Sequence, residues 1–179
     1  MSLHKEAQIR ESGEYALWLK PTGEVDDILR RIIDSLADSY SAPRFDPHIT
    51  VASGIHGSEE DLHVRLNRAA EGSQPMTLHL LDTDYEDELY LSLFVRIAPN
   101  EALLALRERC LREFRLEHDS YMPHVSLMYR KMDPDKKAQI VDRVGKRFDL
   151  VFIPDKIYLV RVSGPPDTWK DIGHIPLLT

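Results

Sequence analysis

Apolar residues recur at two spacings, and the chain switches between them several times. Segment 14–20, EYALWLK, puts Tyr15, Leu17 and Leu19 on one side of an extended chain and predicts a strand. In segment 25–40, Val25, Ile28, Leu29, Ile32, Ile33 and Leu36 fall at helical spacing. The turn SAPRFD then leads into a short strand, PHITVAS, at 47–53. Ser58, followed by Glu59, Glu60 and Asp61, reads as an N-cap with a negative first turn and predicts a helix over 58–71. Strands follow at 76–82 and 89–97, joined by the acidic turn DYEDE, then a helix at 100–116 and a strand, PHVSLMY, at 123–129. Asp133 as N-cap and Pro134 at the first helical position open a helix over 133–148. LVFIPDKIYLVRVSG at 150–164 and WKDIGHIPL at 169–177 supply the last strands.

This pattern contains an internal repeat. A shift of 76 residues lays PHIT at 47–50 over PHVS at 123–126, and EYALWLK over YLSLFVR at 90–96. Each half reads strand, long helix, turn, then Pro-His-aliphatic-hydroxyl. The shifted strands agree face by face. Tyr15, Leu17 and Leu19 match Leu91, Leu93 and Val95 on a core face. Trp18 and Lys20 match Phe94 and Arg96 on the other.

Period-two geometry sets His48 beside Thr50, and His124 beside Ser126, with Ile49, Val51, Val125 and Leu127 turned to the core. If the halves pack about a pseudo-twofold axis, both imidazole–hydroxyl pairs face one cleft. Two histidines flanking a phosphorus centre suit in-line displacement, because an imidazole titrates near pH 6.5 and serves as base or acid. The hydroxyls can donate to the non-bridging oxygens. No metal is needed, and no HExxH or close carboxylate cluster accompanies the pair. His4, His56, His63, His79, His118 and His174 lack this context and are expected on surfaces or strand edges.

Composition narrows the setting. The 179 residues are 42% hydrophobic and 30% charged, as in an ordinary globular protein, and no apolar run is long enough to cross a membrane. The N-terminal MSLHKEAQIRES has no apolar stretch and does not read as a signal peptide. The single cysteine, Cys110, excludes an intramolecular disulfide, sits in a helical pattern and is expected to be a packed thiol. These features favour the cytoplasm or another reducing compartment. A net charge of −7 argues against broad binding to a nucleic-acid backbone but leaves room for a small phosphorylated ligand, and a monomer is expected.

The paired motifs PHITVAS and PHVSLMY resemble the His-x-Thr/Ser motifs of the two-histidine phosphoesterase superfamily. EYALWLKP, the helix after it and APRFDPHITVAS resemble its plant and yeast cyclic phosphodiesterase branch. The likeness extends over about residues 14–176, including Trp169 and HIPL. It implies a single domain of two pseudo-symmetric lobes, α+β, with two antiparallel sheets lining a central cleft and helices outside. It implies hydrolysis of ADP-ribose 1″,2″-cyclic phosphate and of nucleoside 2′,3′-cyclic phosphates, the latter to 2′-phosphates, without a cofactor. His48, Thr50, His124 and Ser126 fall on the family's catalytic positions, with His124 as base and His48 as acid. Trp18, Tyr129 and, by the repeat, Phe94 are the expected substrate-binding aromatics. In an ideal strand Tyr129 shares the face of Leu127, so reaching the cleft requires the chain to turn after Leu127. The cysteines of the plant members' disulfides are missing.

Two other readings fit the same residues. One is RNA 2′,5′ end joining or cleavage, for which Lys20, Arg44, Arg96 and Arg130 would supply a basic track. The other is a module that binds a cyclic or terminal phosphate without turnover.

Overall fold

The structure, a computed structural model, describes residues 13–177; His4 therefore lies outside the described residues. Eight strands and four α-helices alternate as β1 (Tyr15–Leu19), α1 (Gly23–Tyr40), β2 (Ile49–Ile55), α2 (Glu59–Ala70), β3 (Leu78–Asp84), β4 (Leu93–Ile97), α3 (Glu101–Phe114), β5 (His124–Met128), α4 (Pro134–Val144), β6 (Val151–Phe152), β7 (Lys156–Arg161) and β8 (Lys170–Pro176). A 3-10 turn at Pro166–Thr168 precedes β8. The predicted N-cap of α2 forms, with Ser58 Oγ accepting the Asp61 amide at 3.3 Å. Asp133 stands at the N-cap of α4 and uses its backbone carbonyl, which accepts the amides of Lys136 and Lys137.

The strands form two antiparallel four-stranded sheets, in the orders β2-β1-β7-β8 and β5-β4-β3-β6. The 76-residue shift maps β1 onto β4, β2 onto β5 and β3 onto β7. It also maps α1 onto α3 and α2 onto α4. β3, however, lies in the sheet built on β4 and β5, while β7 lies in the sheet built on β1 and β2. Each half thus lends its third strand to the other. The helices interleave as well: α1 packs on β5, and α3 packs on β2.

Leu17, Leu19, Ile49 and Val51 in the first sheet and Leu93, Val95, Val125 and Leu127 in the second are fully buried, as the alternation predicts. The other face of β1 is covered too, since Ala16 and Trp18 pack with Val160 against Trp169. The strand expected at 89–97 begins only at Leu93. Before it the chain bends, the Glu86 amide donates to Leu91 O, and Tyr90 O accepts from the Ser126 hydroxyl. Those backbone groups are lost to a ladder, so Leu91 is half-buried on the cleft wall rather than in the core. The helix expected to reach residue 148 stops at Val144, ahead of Gly145 with φ 116°.

Asn100 caps α3 through Leu103 N at 2.9 Å and also donates from Nδ2 to Thr77 O at 3.0 Å, tying the helix to the chain before β3. Asn100→Ala is expected to lower unfolding free energy by about 1–2 kcal/mol in urea melts. The rings of the paired motifs should show unchanged NMR shifts.

Candidate active site

The repeat survives as cross-strand geometry. In β1–β2, Trp18 pairs with Thr50 and Leu19 with Ile49. In β4–β5, Phe94 pairs with Ser126, Val95 with Val125 and Arg96 with His124. Both histidine strands also carry the same irregularity. Leu17 faces Ala52 while Trp18 faces Thr50, so β2 inserts one extra residue, Val51. Leu93 faces Met128 while Phe94 faces Ser126, so β5 inserts Leu127. A bulge immediately after each hydroxyl resets the alternation that follows. Past it, β5 ends at Met128, and the buried Tyr129 ring stacks on Phe45 at 4.1 Å, close to Trp169 and Tyr90.

Each imidazole is held through Nδ1 by the carbonyl two residues before it. His48 Nδ1 lies 2.6 Å from Asp46 O, and His124 Nδ1 lies 2.9 Å from Met122 O. A carbonyl only accepts, so Nδ1 carries the hydrogen and the Nε2 lone pair of the neutral ring stays free. The backing differs between halves. The His48 ring lies flat on Trp18, 3.5 Å between centroids at 8°, whereas Phe94 meets His124 edge-on at 5.3 Å.

β2 and β5 are edge strands and touch one another between the sheets. Thr50 and His124 line one cleft of about 490 Å³, together with Glu86, Arg107 and Tyr121. Asp46, Trp18 and Trp169 line a second cavity of about 520 Å³; His48 lines neither and is buried against Trp18. Ser126 is buried, with its hydroxyl donating to Tyr90 O at 3.2 Å.

Burial sets the electrostatics. His48, 5% exposed, has its pKa lowered to about 3. Loss of water dominates, and the nearby charges of Lys20 and His124 add to it. His124 is also pushed below its ordinary value, first by burial and then by Arg96, against the opposing pull of its Met122 hydrogen bond and Glu86. The bases on the cleft face are spoken for. Lys20 pairs with Asp46 and Asp171 at 2.8 Å, Arg96 with Asp84 at 2.5 Å, and Arg44 with Asp34 and Asp38. Arg130 donates to Ser41 O at 2.7 Å.

Phe94 is fully buried under the second sheet, so it backs His124 and offers no surface to a ligand, which corrects the expectation drawn from the repeat. Trp18 is buried, borders the second cavity and has one side of its ring covered by His48. Tyr129 is buried in an aromatic cluster with Phe45, Tyr90 and Trp169 and borders neither cavity. His56, His79, His118 and His174 are exposed and His63 is half-buried against Gly173. Sequence reasoning passed over Phe45, Tyr121 and Arg107. The first two sit three residues before each histidine and obey the same 76-residue offset, a signal present in the repeat.

Two antiparallel sheets related by a pseudo-twofold axis, with a His-x-Thr and a His-x-Ser on neighbouring edges, are the construction of a two-histidine phosphoesterase. Residues 14–177 match the family model described as cyclic phosphodiesterase-like protein, and the chain belongs to that family. It is similar to the cyclic phosphodiesterase of Arabidopsis thaliana, 23% identical over 130 residues, 72% of each chain. Among solved structures it shares the fold of TT0787 of Thermus thermophilus, with TM-score 0.69, 18% identity, and 92% and 97% of the two chains covered. It also shares that of E. coli LigT complexed with 3′-AMP, with TM-score 0.62, 17% identity, and 94% and 99% covered. Among the described residues no helix is long and apolar enough to cross a membrane.

The depressed His48 value carries a stability consequence. Unfolded, this imidazole binds a proton below about pH 6.5; folded, it stays neutral down to about 3. The stabilisation is therefore complete above about 6.5 and is lost as pH falls through that window, at up to about 1.4 kcal/mol per pH unit. Urea melts across the window should show this slope, and His48→Gln should flatten it. An unchanged slope in the variant would assign the acid sensitivity elsewhere.

Proposed function

We propose that the chain is a cyclic phosphodiesterase that opens nucleoside 2′,3′-cyclic phosphates to 2′-phosphates and ADP-ribose 1″,2″-cyclic phosphate to the 1″-phosphate. The observation that carries this reading is the matched pair of imidazole–hydroxyl units on two touching edge strands, each imidazole tethered through Nδ1 and free at Nε2. Both units belong to one active site of the whole chain.

Water attacks phosphorus in line with the 3′-oxygen. His124 Nε2 takes the water proton while the new P–O bond forms. The P–O3′ bond breaks, and His48 Nε2–H protonates the departing oxygen. Thr50 and Ser126 donate to the non-bridging oxygens, where charge is concentrated. For Ser126 this means leaving its bond to Tyr90 O. Because burial keeps His48 neutral in the free site, its acid role requires proton uptake with the anionic substrate. A phosphate between two buried imidazoles raises both their pKa values and supplies that driving force.

No cofactor or metal enters these steps. The ion-paired state of Lys20, Arg44 and Arg96 supports a small substrate over an RNA strand, whose phosphates need unengaged cations. The single buried thiol, Cys110, suits a cytoplasmic setting.

Phosphorus NMR of the protein with EDTA and each of the four nucleoside 2′,3′-cyclic phosphates tests this directly. A 2′-phosphate product is expected. His48→Ala and His124→Ala should each lower kcat by about 10²–10⁴-fold, and Thr50→Ala by about 10²-fold. Saturable binding with no product would support a non-catalytic module instead. A 3′-phosphate product would reverse the leaving group.

kcat/KM reports the free enzyme, in which both imidazole pKa values lie below about 6.5. Its pH profile should therefore decline on the alkaline side already below that value. A plateau extending above pH 7 would contradict the burial effect.

A further inference from the structure

The edge that β2 turns toward the second sheet is held by side chains where a further strand would otherwise pair. Arg107, on α3 of the second half, is 7% exposed and donates from Nη1 to Val51 O. Its Nη2 reaches Asp119, and its guanidinium lies 4.1 Å from the centre of the Tyr121 ring. The Tyr121 hydroxyl donates to Thr50 O at 3.0 Å. Two successive carbonyls are thus fixed from the other half, at the hydroxyl residue of the first motif and at the residue that forms its bulge. The residue after Tyr121 is Met122, whose carbonyl tethers His124. A short path therefore runs from Thr50 O through Tyr121 to the second imidazole.

We propose that Arg107 and Tyr121 form a brace between the halves that pins the bulge of β2 and sets the spacing of the two imidazole–hydroxyl units. They are positioning residues: they act through Thr50 and His124. The proposal rests on the two-histidine reading above. Bulges beside reacting groups re-aim the side chains next to them. In-line transfer tolerates little error, since a displacement of about 1 Å can cost 10²-fold in rate. An edge strand has no ladder partner for the carbonyls on its open side. A forked guanidinium stacked on a ring and a phenol hydroxyl hold it at two neighbouring points.

The reciprocal contact differs in kind. Phe45, three residues before His48, stacks on Tyr129 just beyond β5 and makes no hydrogen bond. The polar clamp falls on one side only, so loosening it should move the first motif relative to the second.

The test is a titration with inorganic phosphate, followed by the ring NMR signals of His48 and His124, on the intact chain and on Tyr121→Phe and Arg107→Lys. Tyr121→Phe deletes one hydroxyl and keeps the ring under the guanidinium. In the unmutated chain both rings should shift with one dissociation constant. In Tyr121→Phe the affinity should fall about fivefold or more and kcat about tenfold, with a thermal midpoint close to the parent's. A purely structural role would lower the folded fraction but leave the dissociation constant of the folded molecules intact, and that outcome overturns the proposal. So does a phosphate that shifts only one ring of the unmutated chain. If the unmutated chain binds phosphate on both rings yet opens no cyclic phosphate, the proposed reaction fails while the titration of the variants still decides the brace. Arg107→Lys should match Tyr121→Phe; if it does not fold, the tyrosine variant alone decides.

Discussion

Everything at the centre of this molecule depends on how two edge strands meet. β2 and β5 lie side by side between the sheets, but they belong to different ladders. A continuous sheet would bring backbone hydrogen bonds across that line and leave no cleft. Instead Thr50 O and Val51 O accept from Tyr121 and Arg107, and Phe45 packs on Tyr129 from the opposite direction. Strand exchange and the crossed packing of α1 and α3 hold the halves together elsewhere. The gap between the edges can therefore stay open and be lined by reactive side chains.

The environment of the gap follows from the same arrangement. Roofing the cleft face of β1 with Trp169 buries His48 against Trp18, and burial keeps the ring neutral. Carboxylates from other elements neutralise the bases that flank the motifs. What remains is a polar site with directional groups, its flanking bases held in ion pairs.

Much of this was legible in the chain. The offset of 76 residues joins His48 to His124, Thr50 to Ser126 and Trp18 to Phe94, and the ladder pairs reproduce it residue by residue. Helices and strands fell close to their expected places because their apolar spacing is regular. Other features were out of reach for identifiable reasons. Alternation reports which side of a strand faces a core, not whether the second side is covered, so Phe94 read as a cleft residue although it is buried. Bulges at Val51 and Leu127 leave no mark on composition, yet each resets the alternation after its hydroxyl residue. Leu89 to Leu91 are strand-like in composition, but the carbonyls of Tyr90 and Leu91 accept from the Ser126 hydroxyl and the Glu86 amide instead of a ladder. Arg107 belongs to an ordinary amphipathic helix, and only the packing of α3 on β2 reveals what it touches.

The most direct measurement is a crystal structure with a nucleoside 2′,3′-cyclic vanadate, which mimics five-coordinate phosphorus. Convergent imidazoles predict Nε2 of His124 and Nε2 of His48 on opposite apical oxygens, each within about 2.6–3.2 Å. The Thr50 and Ser126 hydroxyls should lie on equatorial ones. Vanadate held by one imidazole alone, or seated away from both, would contradict the shared site.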